Sequence, residues 1–323
     1  MARMLAVLDD YQSVAAGFAP WQELADLGIE ATFFPEYLGG EDAVVERLRG
    51  FEIIVAMRER TPFPRSVLER LPNLRLLVTT GMRNAAIDLA AADDLGVVVS
   101  GTAGSAGAAA ELSWALLMAT VCGIPAQDAS LRAGGWQLAP GIELGGRTLG
   151  ILGLGRIGAA MAGYARAFGM EVLAWSPHMT AERAVEAGVE AVDRQELFDR
   201  ADIVSVHLRL TDEYRGVVGV DELRRLGLHG YLINTARGPL VDEAALVAAL
   251  EQGLIAGAGL DVYDREPLPP ESALLRAPHT VLTPHIGYVT QEAYRIFYGE
   301  AYDDVRAWAS GSPIRVLGRG AEG

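Results

Sequence analysis

Three short stretches of this chain carry side chains that together could handle an anionic substrate. They are Asn234 to Gly238 (NTARG), Asp261 to Pro267 (DVYDREP) and Thr283 to Gly287 (TPHIG). A guanidinium such as that of Arg237 can bind a planar carboxylate through two N–H bonds. An imidazole such as that of His285 exchanges a proton near neutral pH, and a carboxylate such as Glu266 beside it would favour its protonated form. The set suits a reaction in which negative charge develops on a substrate oxygen.

A glycine-rich segment follows the apolar run Thr148 to Leu152 and leads through a helix-period segment to the apolar run Glu171 to Trp175. In such a βαβ unit the first glycine permits a tight turn, the second lets a pyrophosphate approach the backbone, and the third lets the helix lie close to the strand. The segment therefore predicts a dinucleotide-binding loop. The residues expected to contact the cofactor here are Gly153, Gly155, Arg156, Ile157 and Gly158.

The elements that must position these groups alternate between short apolar runs and helix-period segments in both halves of the chain. That alternation predicts α/β architecture with parallel sheets, and nearly continuous apolar strands indicate sheets covered on both faces. We expect two doubly wound parallel-sheet domains, Rossmann-like or flavodoxin-like. In such sheets ligands bind outside the carboxyl ends of the strands, where the three chemical stretches fall. The expected strands are Met4–Leu8, Ala31–Phe34, Ile53–Ala56, Leu74–Thr79, Val97–Ser100, Thr148–Leu152, Glu171–Trp175, Val189–Val192, Ile203–Leu208, Tyr231–Asn234, Ile255–Asp261 and Val281–Leu282.

Composition narrows the classes of partner. The 323 residues include 27 Lys and Arg against 42 Asp and Glu, giving a net charge of −15. Since no basic run accumulates, we expect neither a nucleic-acid nor an anionic-membrane partner. The single Cys122 has no second thiol to pair with, no His, Cys or carboxylate spacing predicts a metal, and the apolar stretch 106–123 is too short for a membrane span. These features favour a soluble, cytoplasmic protein.

The NTARG, DVxxxEP and TPHIG stretches, together with the glycine loop, resemble the D-isomer-specific 2-hydroxyacid dehydrogenase family. The resemblance implies an oxidoreductase that interconverts a small 2-keto acid and a D-2-hydroxy acid by hydride transfer with NAD or NADP. It implies that Arg237 binds the substrate carboxylate and polarises the keto oxygen, that His285 exchanges the proton, and that Glu266 pairs with His285. Asp261 is similar to the family's carboxylate near the nicotinamide carboxamide.

The resemblance also implies the domain layout. We expect a substrate domain of residues 1–100 plus 289–323, an NAD(P)-binding Rossmann domain of residues 101–288, and a cleft between them. A homodimer through the apolar helix 106–123 is implied as well. Further expected contacts of the cofactor are His207, Thr235, Ala236 and Gly287.

The chain departs from the family pattern at positions that bear on specificity. Ser176 stands where NAD enzymes carry an acid that binds the adenosine ribose. It removes the carboxylate that would repel a 2′-phosphate, but no arginine immediately follows it, so we expect weak discrimination with NAD slightly favoured. A strong preference for NADPH would indicate that a more distant cation such as Arg183 folds back onto the phosphate. Met82 and Arg83 follow the strand that ends at Thr79, and we expect them to contact the substrate, with Arg83 as an extra cation.

Two alternatives stay open from the sequence. The first is formate oxidation. Formate dehydrogenases share the arginine and the histidine, but their pattern has an uncharged amide at the Glu266 position, so Glu266 argues against that activity. The second is a dinucleotide-sensing protein like the family's transcriptional corepressors, in which the scaffold reports cofactor occupancy to partners. Intact Arg237, Glu266 and His285 do not separate this alternative from an enzyme.

Overall fold

The computed structural model describes residues 2–105 and 107–318. The chain divides into two compact units, of which unit 1 comprises Met1–Ala106 with Val289–Gly323 and unit 2 comprises Gly107–Tyr288. Each unit is built around one β-sheet. The predicted α/β class with two parallel-sheet domains is therefore confirmed.

The strands are short and follow the predicted apolar runs closely. Within the described residues they are β1 (Arg3–Val7), β2 (Ile29–Phe33), β3 (Ile53–Ala56), β4 (Leu76–Thr79), β5 (Val98–Gly101), β6 (Thr148–Leu152), β7 (Glu171–Trp175), β8 (Glu190–Ala191), β9 (Ile203–Val206), β10 (Tyr231–Asn234), β11 (Gly257–Leu260), β12 (Thr280–Leu282) and β13 (Val316–Leu317).

Helices separate most of these strands. Within the described residues they are α1 (Glu41–Leu48), α2 (Arg65–Leu68), α3 (Leu89–Asp94), α4 (Ala108–Val121), α5 (Ile124–Arg132), α6 (Arg156–Ala167), α7 (Ala181–Ala187), α8 (Arg194–Arg200), α9 (Val220–Leu226), α10 (Glu243–Glu251) and α11 (Gln291–Ala309). Short 3₁₀ turns occupy Ala15–Gly17, Trp21–Leu27, Asp212–Tyr214, Gly238–Leu240 and Ala273–Arg276.

Unit 1 has a six-stranded sheet in the order β13-β5-β4-β3-β1-β2. Every residue of β3 and β4 is buried, as expected for strands that are covered on both faces. The strand β13 was not predicted, and it runs antiparallel to β5 with Val316 opposite Ser100. A two-residue edge strand has too little pattern to be recognised in a sequence, because its pairing partner lies more than 200 residues earlier. The helix α11 belongs to the same unit and buries Ala293, Phe297 and Val305.

Unit 2 has a seven-stranded parallel sheet in the order β12-β11-β10-β9-β6-β7-β8. The chain builds outwards from β6 to β7 and β8, then returns to place β9 on the other side of β6. The strand order therefore reverses between β6 and β9, and a doubly wound sheet offers its ligand crevice at such a switch point. Leu152, the last residue of β6, pairs with Val206, the last residue of β9. Both strands therefore end at the same edge of the sheet.

The apolar segment around residues 106–123 forms α4, and it is followed by the shorter α5. Seven residues of α4 are buried, and the helix packs on β10, β11 and α6 within unit 2. In the described part of the chain no single helix is long and apolar enough to cross a membrane, and α4 with α5 passes only as a pair bent by 60°. Four exposed apolar side chains follow α4 in the chain, at Ile124, Leu131, Trp136 and Leu138. The predicted homodimer stays a prediction.

Candidate active site

The glycine loop joins β6 to α6 and has the geometry that a bound dinucleotide requires. Gly153 has a φ of +108°, and a Cβ there would lie 2.7 Å from the carbonyl carbon of His207. A Cβ on Gly158 would collide with the carbonyl oxygen of Gly153, so the third glycine lets the helix lie against the loop. Around Gly155 nothing lies within 4 Å of a Cβ position, which leaves the backbone open to a ligand. The residues present therefore fit a pyrophosphate at the start of α6, where Arg156 and Ile157 form the first turn.

The NTARG turn at the end of β10 is held by the side chain of Asn234, which is 1% exposed. Its amide donates to the carbonyl oxygen of Arg237 (3.0 Å), and its Oδ1 accepts from the backbone N–H of Ala236 (3.0 Å). The Arg237 guanidinium donates to the carbonyl of Ala236 at 2.7 Å. Thr235 is fixed from another element, because its hydroxyl lies 2.6 Å from the hydroxyl of Ser113 on α4. The turn thus has a defined shape before any ligand binds.

Asp261, directly after β11, is fully buried and connects two of the three chemical stretches. Its carboxylate accepts hydrogen bonds from the Thr283 hydroxyl (2.6 Å) and from the backbone N–H groups of Ile286 (2.8 Å) and Gly287 (2.9 Å). Burial raises the pKa of Asp261 above its ordinary value, and these hydrogen bonds oppose the rise. The carboxylate therefore holds the TPHIG loop against the end of β11.

Within that loop, His285 has a φ of +52° and contacts Glu266. The Nδ1 of His285 lies 2.5 Å from Oε2 of Glu266, while Oε1 of Glu266 accepts from the backbone N–H of Tyr263 at 2.9 Å. Burial would raise the pKa of Glu266, but the hydrogen bond and charge of His285, the Tyr263 amide and the charge of Arg237 together lower it. The pair keeps an anionic carboxylate on Nδ1, so Nε2 is the ring nitrogen left for a substrate.

Two further predicted cofactor contacts follow β9 and β7, the strands on either side of β6. His207 follows β9, and its Nε2 lies 2.8 Å from the hydroxyl of Ser205. Burial lowers the pKa of His207 to about 4, so its imidazole is neutral at physiological pH. Ser176 follows β7 and is partly buried. Gly287, whose N–H is bound to Asp261, completes the set at this edge of unit 2.

The predicted substrate residues Met82 and Arg83 lie in unit 1, in the exposed loop after β4. The loop is anchored on both sides. Gly81 donates its N–H to the Thr102 hydroxyl (2.9 Å), and the Asn84 amide donates to the Thr79 hydroxyl (2.8 Å). The side chain of Met82 is 47% exposed. The assignment of both residues to substrate stays a prediction.

Several positioning residues were not predicted from the sequence. Ser113 lies on a helix that was considered only for its apolar content, and nothing in the sequence links it to Thr235. Thr283 and Asn234 were visible in the TPHIG and NTARG stretches, and a buried polar side chain at a strand end is a signal that could have singled them out.

Comparisons with known proteins agree with this geometry. Residues 114–287 match the family model described as "D-isomer specific 2-hydroxyacid dehydrogenase, NAD binding domain". A glyoxylate reductase of Korarchaeum cryptofilum is 38% identical over 256 residues, which cover 77% of this chain and 77% of that protein. The crystal structure of a phosphoglycerate oxidoreductase from Vibrio cholerae superposes with a TM-score of 0.90 at 38% identity and covers 97% of this chain and 100% of that one.

A D-3-phosphoglycerate dehydrogenase of Archaeoglobus fulgidus is 36% identical over 277 residues, or 85% of this chain. The chain spans about half of that relative, since the match covers 52% of its length. The chain belongs to the D-isomer-specific 2-hydroxyacid dehydrogenase family. It is an oxidoreductase that uses NAD or NADP, as the resemblance predicted.

The two glycines of α6 allow a matched test of the loop. Gly158→Ala should weaken NADH binding and lower the melting temperature, because the new methyl group meets backbone that cannot move aside and such overpacking costs about 1–3 kcal/mol. Gly163→Ala, in the same helix with open space around it, should raise stability by roughly 0.5–1 kcal/mol. Urea unfolding and NADH titration of both variants measure this. Equal behaviour of the two variants would show that close packing at residue 158 is not needed.

Proposed function

We propose that this chain interconverts a small 2-keto acid and the corresponding D-2-hydroxy acid. The observation that carries the proposal is the Glu266–His285 pair in unit 2, with the Arg237 guanidinium close enough to help lower the pKa of Glu266. These three groups supply an anion-binding cation and a proton donor at one edge of a sheet. That combination is what reduction of a carbonyl next to a carboxylate requires.

Each side chain then has a separate role. Arg237 binds the substrate carboxylate through two N–H bonds and polarises the keto oxygen. His285 donates a proton from Nε2 to that oxygen during reduction and accepts it during oxidation, while Glu266 on Nδ1 stabilises the protonated ring. The cofactor, when bound to the glycine loop, supplies or accepts the hydride. Asp261 acts by holding the loop that carries His285.

Formate oxidation and a corepressor role are each less well supported than keto-acid reduction, for different reasons. Formate oxidation exchanges no proton with a substrate oxygen, so an acid that holds the proton-exchanging ring would serve no purpose there. Here Glu266 makes that contact directly. The corepressor alternative receives no support from the relatives described above, which are named as a reductase, a dehydrogenase and an oxidoreductase.

The names of these relatives guide the choice of substrates. One is named for glyoxylate and others for phosphoglycerate. We therefore propose a test with glyoxylate, pyruvate, hydroxypyruvate, oxaloacetate, branched and aromatic keto acids, and a phosphorylated keto acid, each with NADH and NADPH. Turnover of one or more of them supports the proposal.

Replacing His285 by Ala should reduce that turnover by about 10² to 10⁴, because the proton donor is removed. The matched control is His279→Ala, since His279 also has a positive φ but precedes β12 and so lies at the amino end of the sheet. Steady-state rates and NADH titration separate chemistry from binding. Near-wild-type turnover by the His285 variant would show that His285 does not donate the proton.

Replacing Glu266 by Gln should move the pH profile of keto-acid reduction to lower pH. The anionic carboxylate of Glu266 lies against Nδ1 of His285 and stabilises positive charge there, whereas the neutral amide of Gln supplies no such charge. Glu271→Gln, a change of an exposed acid in the same segment, serves as the control and should leave the profile in place. Coincident profiles for wild type and the Glu266 variant would contradict a proton-holding role for the pair.

A further inference from the structure

The segment after β7 begins at the position where sheets of this architecture contact the adenosine ribose of a dinucleotide. In NAD enzymes of this architecture, an acid at the end of the second strand binds the ribose hydroxyls and repels a 2′-phosphate. Here that position is Ser176, and the chain turns back behind it, with the N–H of Met179 bound to the carbonyl of Ser176 at 3.1 Å. Thr180 then caps α7 through its hydroxyl. The turn brings the first residues of α7 back towards the glycine loop.

Arg183, in the first turn of α7, bridges the two segments. Its Nη2 donates to the carbonyl oxygen of Leu154 at 2.6 Å, and its Nη1 donates to the carbonyl oxygen of His178 at 3.1 Å. Leu154 stands between the first two glycines of the loop. The guanidinium is therefore held where the glycine loop meets the loop that follows Ser176. Two of its five N–H donors make these bonds.

The charge of Arg183 is not neutralised by this arrangement, because both acceptors are neutral carbonyl oxygens. Among the ion pairs of the described residues, none joins a carboxylate to Arg183. The adjacent Glu182 is engaged elsewhere. Hydrogen bonds from its own backbone N–H and from Thr180 lower the pKa of Glu182 and keep it ionised at the start of α7. The result is a positioned cation beside a site that lacks the usual acid.

We infer that Arg183 binds the 2′-phosphate of NADP(H), and that the chain prefers NADPH to NADH. A guanidinium is suited to phosphate oxygens through paired N–H bonds, and the Ser176 hydroxyl can donate to the same group. The inference deepens the proposed function, since it names the reductant for the keto acid. It reverses the expectation from sequence, which slightly favoured NAD because no arginine directly follows Ser176, and in which Arg183 was the distant cation that could change the preference.

The test is a titration of the protein with each cofactor in the absence of substrate. Binding is measured by the quenching of tryptophan fluorescence and by calorimetry. Wild type should bind NADPH at least tenfold more tightly than NADH, and 2′,5′-ADP should compete better than 5′-ADP. In Arg183→Gln the Kd of NADPH should rise about tenfold or more relative to that of NADH, as expected when a hydrogen bond to a charged group is lost. Arg224→Gln, a change of an exposed arginine on α9, is the matched control and should keep the wild-type ratio.

A second variant keeps the test decisive if Arg183 also stabilises the loop. Ser176→Asp retains both bonds of Arg183 and should shift preference towards NADH, because the new carboxylate repels the phosphate and accepts from the ribose. Equal weakening of both cofactors in Arg183→Gln, or a wild type that binds NADH as tightly as NADPH, would overturn the inference. Keto-acid turnover with NADH alone would overturn it while leaving the proposed function intact. Tight NADPH binding without turnover of any keto acid would contradict the proposed function and leave the inference about Arg183 intact.

Discussion

The parallel register of the sheet in unit 2 is the constraint on which the site depends. β10 pairs with β9 on one side and β11 on the other, so that Asn234 stands opposite both Val206 and Leu260. Since parallel strands end at a common edge, the loops that leave them are neighbours although they are distant in the chain. The NTARG, DVYDREP and TPHIG stretches meet for this reason. Their loops need only short excursions from a rigid sheet to bring a cation, a carboxylate and an imidazole together.

Buried polar side chains then convert this neighbourhood into a fixed geometry. Asn234 and Asp261 are almost fully buried, and each satisfies its polar atoms with the backbone or hydroxyl groups of adjacent loops. Burying a carboxylate is costly unless it is hydrogen-bonded, and removal of its partners would leave an uncompensated charge. Asp261 therefore stabilises one conformation of the TPHIG loop. The positive φ of His285 is held within that conformation.

The dinucleotide end of unit 2 follows a different physical logic, in which the absence of side chains matters. Gly153 and Gly158 are required because backbone atoms approach where a Cβ would stand. The function of such positions can be recognised in the sequence, since only glycine fits them. Preference between NAD and NADP is less constrained. Any cation that reaches the adenosine ribose can bind a 2′-phosphate there, and the residue that follows β7 is only one of the groups around that ribose.

The sequence by itself determined the α/β class, the positions of most strands along the chain, the glycine loop and the residue types of the site. It could do so because apolar periodicity and glycine spacing are local properties. The tertiary structure alone decided that β13 pairs with β5, that Ser113 contacts Thr235, and that Asp261 holds the loop of His285. It also decided the place of Arg183, seven residues beyond Ser176 in the chain but bound to Leu154 in space. These contacts join elements far apart in sequence, and they depend on how helices and loops pack against a sheet, which no local pattern records.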